Sequence, residues 1–185
     1  MAQLRNTVRA YGPVGEDPGR IVAATGQLLA LTAPYLYATM VYLEVDPAAG
    51  VVRYANAGHP SPLVVGPAGT VAALNDDAGD SGPLLGLADM SGLGGAAYPT
   101  RTVPLAPGST LVAYTDGLVE DPTSDIGAGI ERLRAAAARL CSPGRADRLS
   151  QLLDDIIAAT LAGRRQRDDL CLLVAVDLGR PSGKN

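Results

Sequence analysis

The chain has 185 residues, of which 47% are hydrophobic, so it is long enough to bury one core and too short for two domains of ordinary size. The charged fraction is 18% and the formal net charge is −4, which excludes the basic surface that nucleic acid or an anionic membrane would require. The only cysteines, Cys141 and Cys171, have no metal-type or redox-type neighbour at CxxC spacing, so no disulfide framework is implied and we expect reduced thiols in the cytoplasm. We expect one domain over residues 1–178 and a disordered tail at 179–185.

The N-terminal part predicts a helix followed by antiparallel strands. Asp17 and Pro18 are typical of a helix start, because the carboxylate accepts from free backbone N–H groups and proline fits the first turn. Apolar residues then recur at helical spacing as far as Thr32, and Pro34 ends the helix. Four segments are predicted to form an antiparallel meander: residues 38–45, 51–55, 62–65 and 70–74.

Residues 21–43 contain no charged side chain and could in principle cross a bilayer. Gly26, Gln27 and Pro34 interrupt this stretch, and its apolar period changes partway, so we favour a helix followed by a strand. No signal peptide is expected, since the first ten residues are polar and no apolar segment follows them directly.

The C-terminal part predicts strands and two amphipathic helices after a loop rich in Gly, Asp and Ser. The predicted elements are the loop 75–99, strands 98–105 and 110–115, helices 128–140 and 143–161, and a last strand at 170–176. The last strand is continuously apolar, which is typical of a strand covered on both faces.

Two aspartates flank the two apolar strands of this part. Asp116 follows one strand and Asp168 precedes the other, so antiparallel pairing of these strands would bring both carboxylates to the same sheet edge. Carboxylate oxygens suit Mg²⁺ or Mn²⁺. The alternative is that Asp116 belongs to an ordinary turn and that Asp168 and Asp169 cap or solvate a strand start.

The segment around Asp116 resembles a phosphatase signature. Residues 114–120 read YTDGLVE, as in the SpoIIE-like branch of the bacterial PPM (type 2C) serine/threonine protein phosphatases. Three further segments resemble family motifs in the same order: ATMVY at 38–42 with YANAGHP at 54–60, GPLLG at 82–86, and RDDL at 167–170. The resemblance extends from about Met1 to Val176.

This resemblance implies an α+β fold, the α-β-β-α sandwich of two antiparallel sheets flanked by helices. It implies that Asp116 and Asp168 are catalytic metal ligands, with Asp169 a further candidate ligand, for two Mn²⁺ or Mg²⁺ ions. The implied reaction is hydrolysis of phosphoserine or phosphothreonine on a regulatory protein such as an anti-sigma-factor antagonist, in stress-response signalling. His59, the only histidine, could contact substrate phosphate, or it could fix the bend at residues 58–60 by hydrogen bonding.

The sequence departs from the family before the first helix. Family members carry there a GD-x-x-G-x-G pattern whose aspartate bridges the two metals, and no such segment occurs in this chain. We therefore expect a domain that is truncated at its N-terminus, through a start codon placed upstream or through descent as a non-catalytic relative. Asp76, Asp77 and Asp80 could replace the missing ligand or could be ordinary solvated loop acids. A catalytically inactive binding module is the alternative function, and an exposed sheet edge could pair two copies into a dimer.

Overall fold

The computed structural model describes residues 2–12, 15–74, 81–87, 98–121, 125–141, 148–164 and 169–177. Along these residues the helices and strands are α1 (Ala2–Tyr11), α2 (Pro18–Thr32), β1 (Met40–Asp46), β2 (Val51–Ala57), β3 (Leu63–Val65), β4 (Val71–Ala73), β5 (Ser81–Gly82), β6 (Arg101–Pro104), β7 (Thr110–Tyr114), α3 (Ile126–Leu140), α4 (Leu149–Thr160) and β8 (Leu172–Val176). A short 3-10 turn, Asp116–Leu118, follows β7.

The chain forms two compact units, and each contains one four-stranded sheet. The first unit comprises Met1–His59 and Asn75–Pro104, and the second comprises Pro60–Leu74 and Leu105–Asn185. Two helices belong to each unit among the described residues, so the mixed α+β character that we predicted is confirmed. The expectation of one domain over 1–178 stays a prediction, and the tail at 179–185 lies outside the described residues.

The sheet of the first unit is built around β2. Strand β1 pairs antiparallel with it over seven residues, and β6 pairs antiparallel with its other side, where β5 adds a short parallel contact. The turn between β1 and β2 is fixed by Asp46, whose Oδ1 accepts from the backbone N–H groups of Ala48 and Ala49 at 2.9 Å each. The predicted hairpin is thus confirmed.

Helix α2 covers the core of the first unit. Asp17 is its N-cap and accepts from Gly19 N at 3.1 Å, with Pro18 in the first turn, as the sequence predicts. The buried residues of this core come from the helix, from β2 and from two loops: Val22, Leu29, Ala55, Ala57, Leu85 and Tyr98. Burial of this apolar face, at about 25 cal/mol per Å², stabilises the helix far more than its intrinsic propensity does.

The second unit has the strand order β4-β3-β7-β8, with every neighbouring pair antiparallel. Helices α3 and α4 supply Leu133, Ala137, Leu152 and Ile156 to the core of this unit, where they pack against buried residues of β3 and β7. Helix α4 begins at Leu149; residues 142–147, which include most of the start predicted for it, lie outside the described residues.

Two sequence predictions of strand environment are wrong. The strand at 63–65 does not continue a meander with β1 and β2, because the chain bends at Gly58, which has φ +65°, and β3 pairs instead with β4 and β7. Strand β8 is not covered on both faces, since its residues alternate between half-buried and exposed and Leu173 is 54% exposed.

Within the described residues no helix is long and apolar enough to cross a membrane, and residues 21–43 form a helix followed by a strand, as predicted.

Candidate functional site

The end of β7 presents Asp116 to solvent on a firmly held turn. The carbonyl of Asp116 accepts from Val119 N at 2.8 Å and from Glu120 N at 2.7 Å, and its carboxylate Oδ1 accepts from Gly117 N at 2.9 Å. Leu118 and Val119 are fully buried, and their burial in the core anchors the turn. The backbone around Asp116 is therefore rigid, while its side chain is exposed.

Thr115 ties the end of β7 to the start of β8. Its backbone N–H donates to Cys171 O at 3.0 Å, and its Oγ1 accepts from Cys171 N at 2.9 Å and donates to Asp169 O at 3.3 Å. The two strands are antiparallel neighbours, with Tyr114 opposite Leu172. This confirms the pairing on which the sequence argument rests, and it brings Asp116 and Asp169 to one edge of the sheet of the second unit.

The two described aspartates supply the donor type that a hard divalent cation prefers. Both side chains are exposed, and Oδ2 of Asp116 makes no hydrogen bond to a described residue. Asp168 lies outside the described residues, so its predicted role as a ligand stays a prediction. No group of three potential ligand side chains occurs in the described parts of the chain. Carboxylate oxygens fit Mg²⁺ or Mn²⁺, and two candidate ligands, Asp116 and Asp169, lie within the described residues.

The acidic residues at the start of α2 have structural roles. Asp17 caps α2, accepts from the hydroxyl of Thr100, and accepts from Arg53 Nη2 at 3.1 Å. Glu16 pairs with Arg20 at 3.3 Å, one helical turn later. Capping thus accounts for Asp17, as the sequence suggests. Asp76, Asp77 and Asp80, the proposed substitute ligands, lie outside the described residues.

His59 lies in the first unit on a bend that a neighbouring asparagine holds in place. Asn56 is fully buried; its Oδ1 accepts from His59 N at 2.8 Å and its Nδ2 donates to His59 O at 2.9 Å. The imidazole Nδ1 lies 2.9 Å from Thr39 Oγ1. The side-chain amide of Asn56 therefore fixes the bend at residues 58–60, together with the imidazole of His59. The contact of His59 with substrate stays a prediction.

Asn56 is a structural residue that the sequence reasoning missed. An asparagine just before a bend can bond both the N–H and the C=O group of a backbone residue within it. That local pattern was the available signal. Its side chain also holds Ser81, whose Oγ accepts from Gly58 N at 3.0 Å.

The cysteines differ in environment. Cys141 ends α3 inside the core of the second unit, and burial raises the pKa of its thiol to about 11. Cys171 is exposed just before β8, although it falls within the apolar strand that the sequence predicts at 170–176. Its position results from the bonds to Thr115, which begin the β7–β8 pairing one residue before the strand.

An ion pair that the sequence reasoning also missed supports the segment after the turn. Arg164 Nε lies 2.7 Å from Asp121 Oδ2, and the two side chains are only 11% and 18% exposed. Arg164 Nη2 also donates to Val119 O at 3.4 Å. In the structure Arg164 ties the chain after α4 to residues 119–121, close to Asp116.

Comparison with known proteins decides the family. The family model described as stage II sporulation protein E (SpoIIE) matches residues 1–176, which is nearly the whole chain. This chain belongs to the SpoIIE family. The resemblance carried by the four motifs is thereby confirmed, and with it the assignment to SpoIIE-like PPM-type phosphatases.

Solved structures agree with this assignment. The RsbU and RsbW domains of Rv1364c from Mycobacterium tuberculosis match with a TM-score of 0.80 and 26% identity over 98% of this chain. This SpoIIE-family chain spans 48% of the length of that protein. RsbX in complex with magnesium matches with a TM-score of 0.64 and 19% identity, covering 95% of this chain and 71% of the other.

The phosphatase domain of the cell fate determinant SpoIIE from Bacillus subtilis has the same fold. It matches with a TM-score of 0.56 and 12% identity, over 99% of this chain and 75% of that domain. At this identity the likeness concerns the fold alone. The α+β fold of PPM phosphatases that the resemblance implies is confirmed by these matches.

Proposed function

We propose that this SpoIIE-family chain is a metal-dependent protein serine/threonine phosphatase domain that hydrolyses phosphoserine or phosphothreonine on a regulatory protein. The observation that carries the proposal is the antiparallel pairing of β7 and β8, which puts exposed Asp116 and Asp169 at one sheet edge. Asp168 completes the proposed ligand set. An anti-sigma-factor antagonist is the substrate class that the resemblance to SpoIIE-like phosphatases implies, and the match of the SpoIIE family model supports that resemblance.

The proposed chemistry assigns separate tasks to the described residues. A pair of Mn²⁺ or Mg²⁺ ions would neutralise charge on the phosphoryl oxygens and lower the pKa of an attacking water. Asp116 would bind an ion through its exposed carboxylate, whose orientation the bond from Gly117 N to Oδ1 fixes. Thr115 holds the two strand ends together, so that the carboxylates do not have to be brought together when substrate binds.

The first test is manganese-dependent hydrolysis of a phosphoserine peptide by the full chain. Asp116→Asn keeps the shape of the side chain and removes its charge, and we expect activity to fall by at least about 100-fold. Asp154→Asn is the matched control, because Asp154 is an exposed carboxylate on α4 of the same unit. Titration with Mn²⁺, followed by electron paramagnetic resonance, should show weaker binding for Asp116→Asn alone.

A binding module without catalytic activity is the second candidate function. It is the alternative that the sequence motifs leave open, and binding of Mn²⁺ distinguishes it from the first candidate. A folded wild-type chain that neither binds Mn²⁺ nor hydrolyses the peptide would support this function and refute the first. Pairing of two copies through a sheet edge also stays a prediction; β1 and β8 are edge strands within the described parts of the two sheets.

A further inference from the structure

The first unit contains an open apolar groove that the proposed phosphatase chemistry does not use. The groove has a volume of about 350 Å³, within the usual range for sites that bind a ligand. Its lining comes from α1, from α2, from the chain entering β1 and from the segment that follows β5, and it includes Leu4, Arg5, Val8, Arg9, Ala38 and Thr39. Among the described residues, no acidic side chain lines it.

Helix α1 gives this groove an apolar wall and a positive rim. Leu4 and Val8 are half-buried one helical turn apart, and Arg5 and Arg9 are exposed beside them with the same spacing. Neither arginine forms an ion pair or hydrogen bond with any described residue. Two cations that have no partner among the described residues therefore lie beside an apolar groove, on a chain whose net charge is −4.

We propose that this groove binds an acidic amphipathic helix of a protein partner. Apolar side chains of such a helix would occupy the groove, and carboxylates four residues apart would match the spacing of Arg5 and Arg9. The net negative charge of the rest of the chain repels an acidic helix, so such a helix is directed to the positive rim formed by Arg5 and Arg9. A fatty acid has a single carboxylate and would satisfy only one of the two arginines.

The test measures binding of a fluorescein-labelled synthetic peptide of 18 residues, with leucines at helical spacing and glutamates at i and i+4, to the full chain. Fluorescence anisotropy gives the Kd. We expect the double variant Arg5→Glu/Arg9→Glu to weaken binding about tenfold or more, because two attractions become repulsions. The matched control is Arg139→Glu/Arg148→Glu, which makes the same charge change at exposed positions of the second unit. This control should retain the wild-type Kd.

Two further measurements locate the peptide. Ala38→Leu fills the groove without changing charge, and we expect it to weaken binding as well. His59 is the only histidine, and its Nδ1 lies 2.9 Å from Thr39, which lines the groove. The NMR resonances of its imidazole should therefore shift when the peptide binds to the wild-type chain.

Specific outcomes would overturn the proposal. Equal affinity for a peptide with lysine in place of glutamate, or for a scrambled sequence of the same composition, would exclude recognition of an acidic amphipathic helix. Binding of decanoate without binding of the peptide would assign the groove to a small amphiphile. Self-association that is abolished by Arg5→Glu/Arg9→Glu, again without peptide binding, would assign the groove to a second copy of the chain. The assay is independent of phosphatase activity.

Discussion

Gly129 is the position at which a single methyl group should most clearly perturb the turn that carries Asp116. A Cβ at Gly129 would lie 1.8 Å from Val119 O, 2.6 Å from Val119 C and 2.9 Å from Val119 Cα. All three atoms are backbone, so no side-chain rotation relieves the clash, and α3 must move away from the turn by roughly 1 Å. Val119 is fully buried and donates to Asp116 O, so the displacement reaches the candidate metal ligand.

The expected loss of stability follows from two opposing terms. Alanine is favoured over glycine in a helix by about 1 kcal/mol, whereas overpacking costs about 1–3 kcal/mol, and a backbone clash belongs at the upper end of that range. We therefore expect Gly129→Ala to lower the free energy of unfolding by about 2 kcal/mol in urea denaturation, and to weaken Mn²⁺ binding.

Gly127 in the same helix supplies the matched control for this substitution. Its added Cβ would meet only the end of the Asp125 side chain, at 2.9 Å, and that side chain can rotate away. Gly127→Ala should therefore leave stability unchanged or raise it by up to about 1 kcal/mol. If Gly129→Ala is as stable as Gly127→Ala, the close contact of α3 with Val119 does not exist as described.

Two other predictions concern side chains of the second unit. Arg164→Met removes one partner of the largely buried pair with Asp121, so we expect the free energy of unfolding in urea to fall by about 2–4 kcal/mol. Arg139→Met, at an exposed position, should change it by less than about 0.5 kcal/mol. Equal effects of the two substitutions would refute the stabilising role of the pair. Ellman's reagent at pH 8 should modify one thiol of the folded chain and two in urea, because burial shields Cys141 and raises its pKa to about 11 while Cys171 is exposed. Cys171→Ser should abolish the fast reaction. The remaining labelling, at Cys141, should accelerate as the pH rises toward the pKa of that thiol. Fast labelling of Cys171→Ser at pH 8 would show that Cys141 is accessible.

Local sequence signals predicted most of the secondary structure. The start of α2 follows from Asp17 and Pro18, and the β1–β2 hairpin follows from the turn after Asp46, because the residues that define these features are neighbours in the chain. These features depend on propensity and pattern alone. The pairing of β7 with β8 was a condition of the argument from the two aspartates, and the structure meets it.

Features that depend on contacts distant in sequence were not predictable in the same way. The sheet that the strand at 63–65 joins is decided by the bend at Gly58 and by the clamp of Asn56 on His59. The pairing of Arg164 with Asp121 joins residues 43 positions apart, and the sequence offered many other partners of either sign. The exposure of Leu173 reflects which face of β8 the helices cover, which an uninterrupted apolar run does not reveal.

The geometry of the candidate metal edge is set by groups other than the carboxylates. Thr115 joins the two strands through its backbone and hydroxyl, and buried Leu118 and Val119 anchor the turn. The side chain of Asp116 is exposed, and among the described residues it bonds only to its neighbour Gly117. Replacing Asp116 by asparagine should therefore leave the free energy of unfolding nearly unchanged. A loss of metal binding in that variant can then be assigned to the ligand itself, whereas the same loss in Gly129→Ala would accompany a displaced backbone.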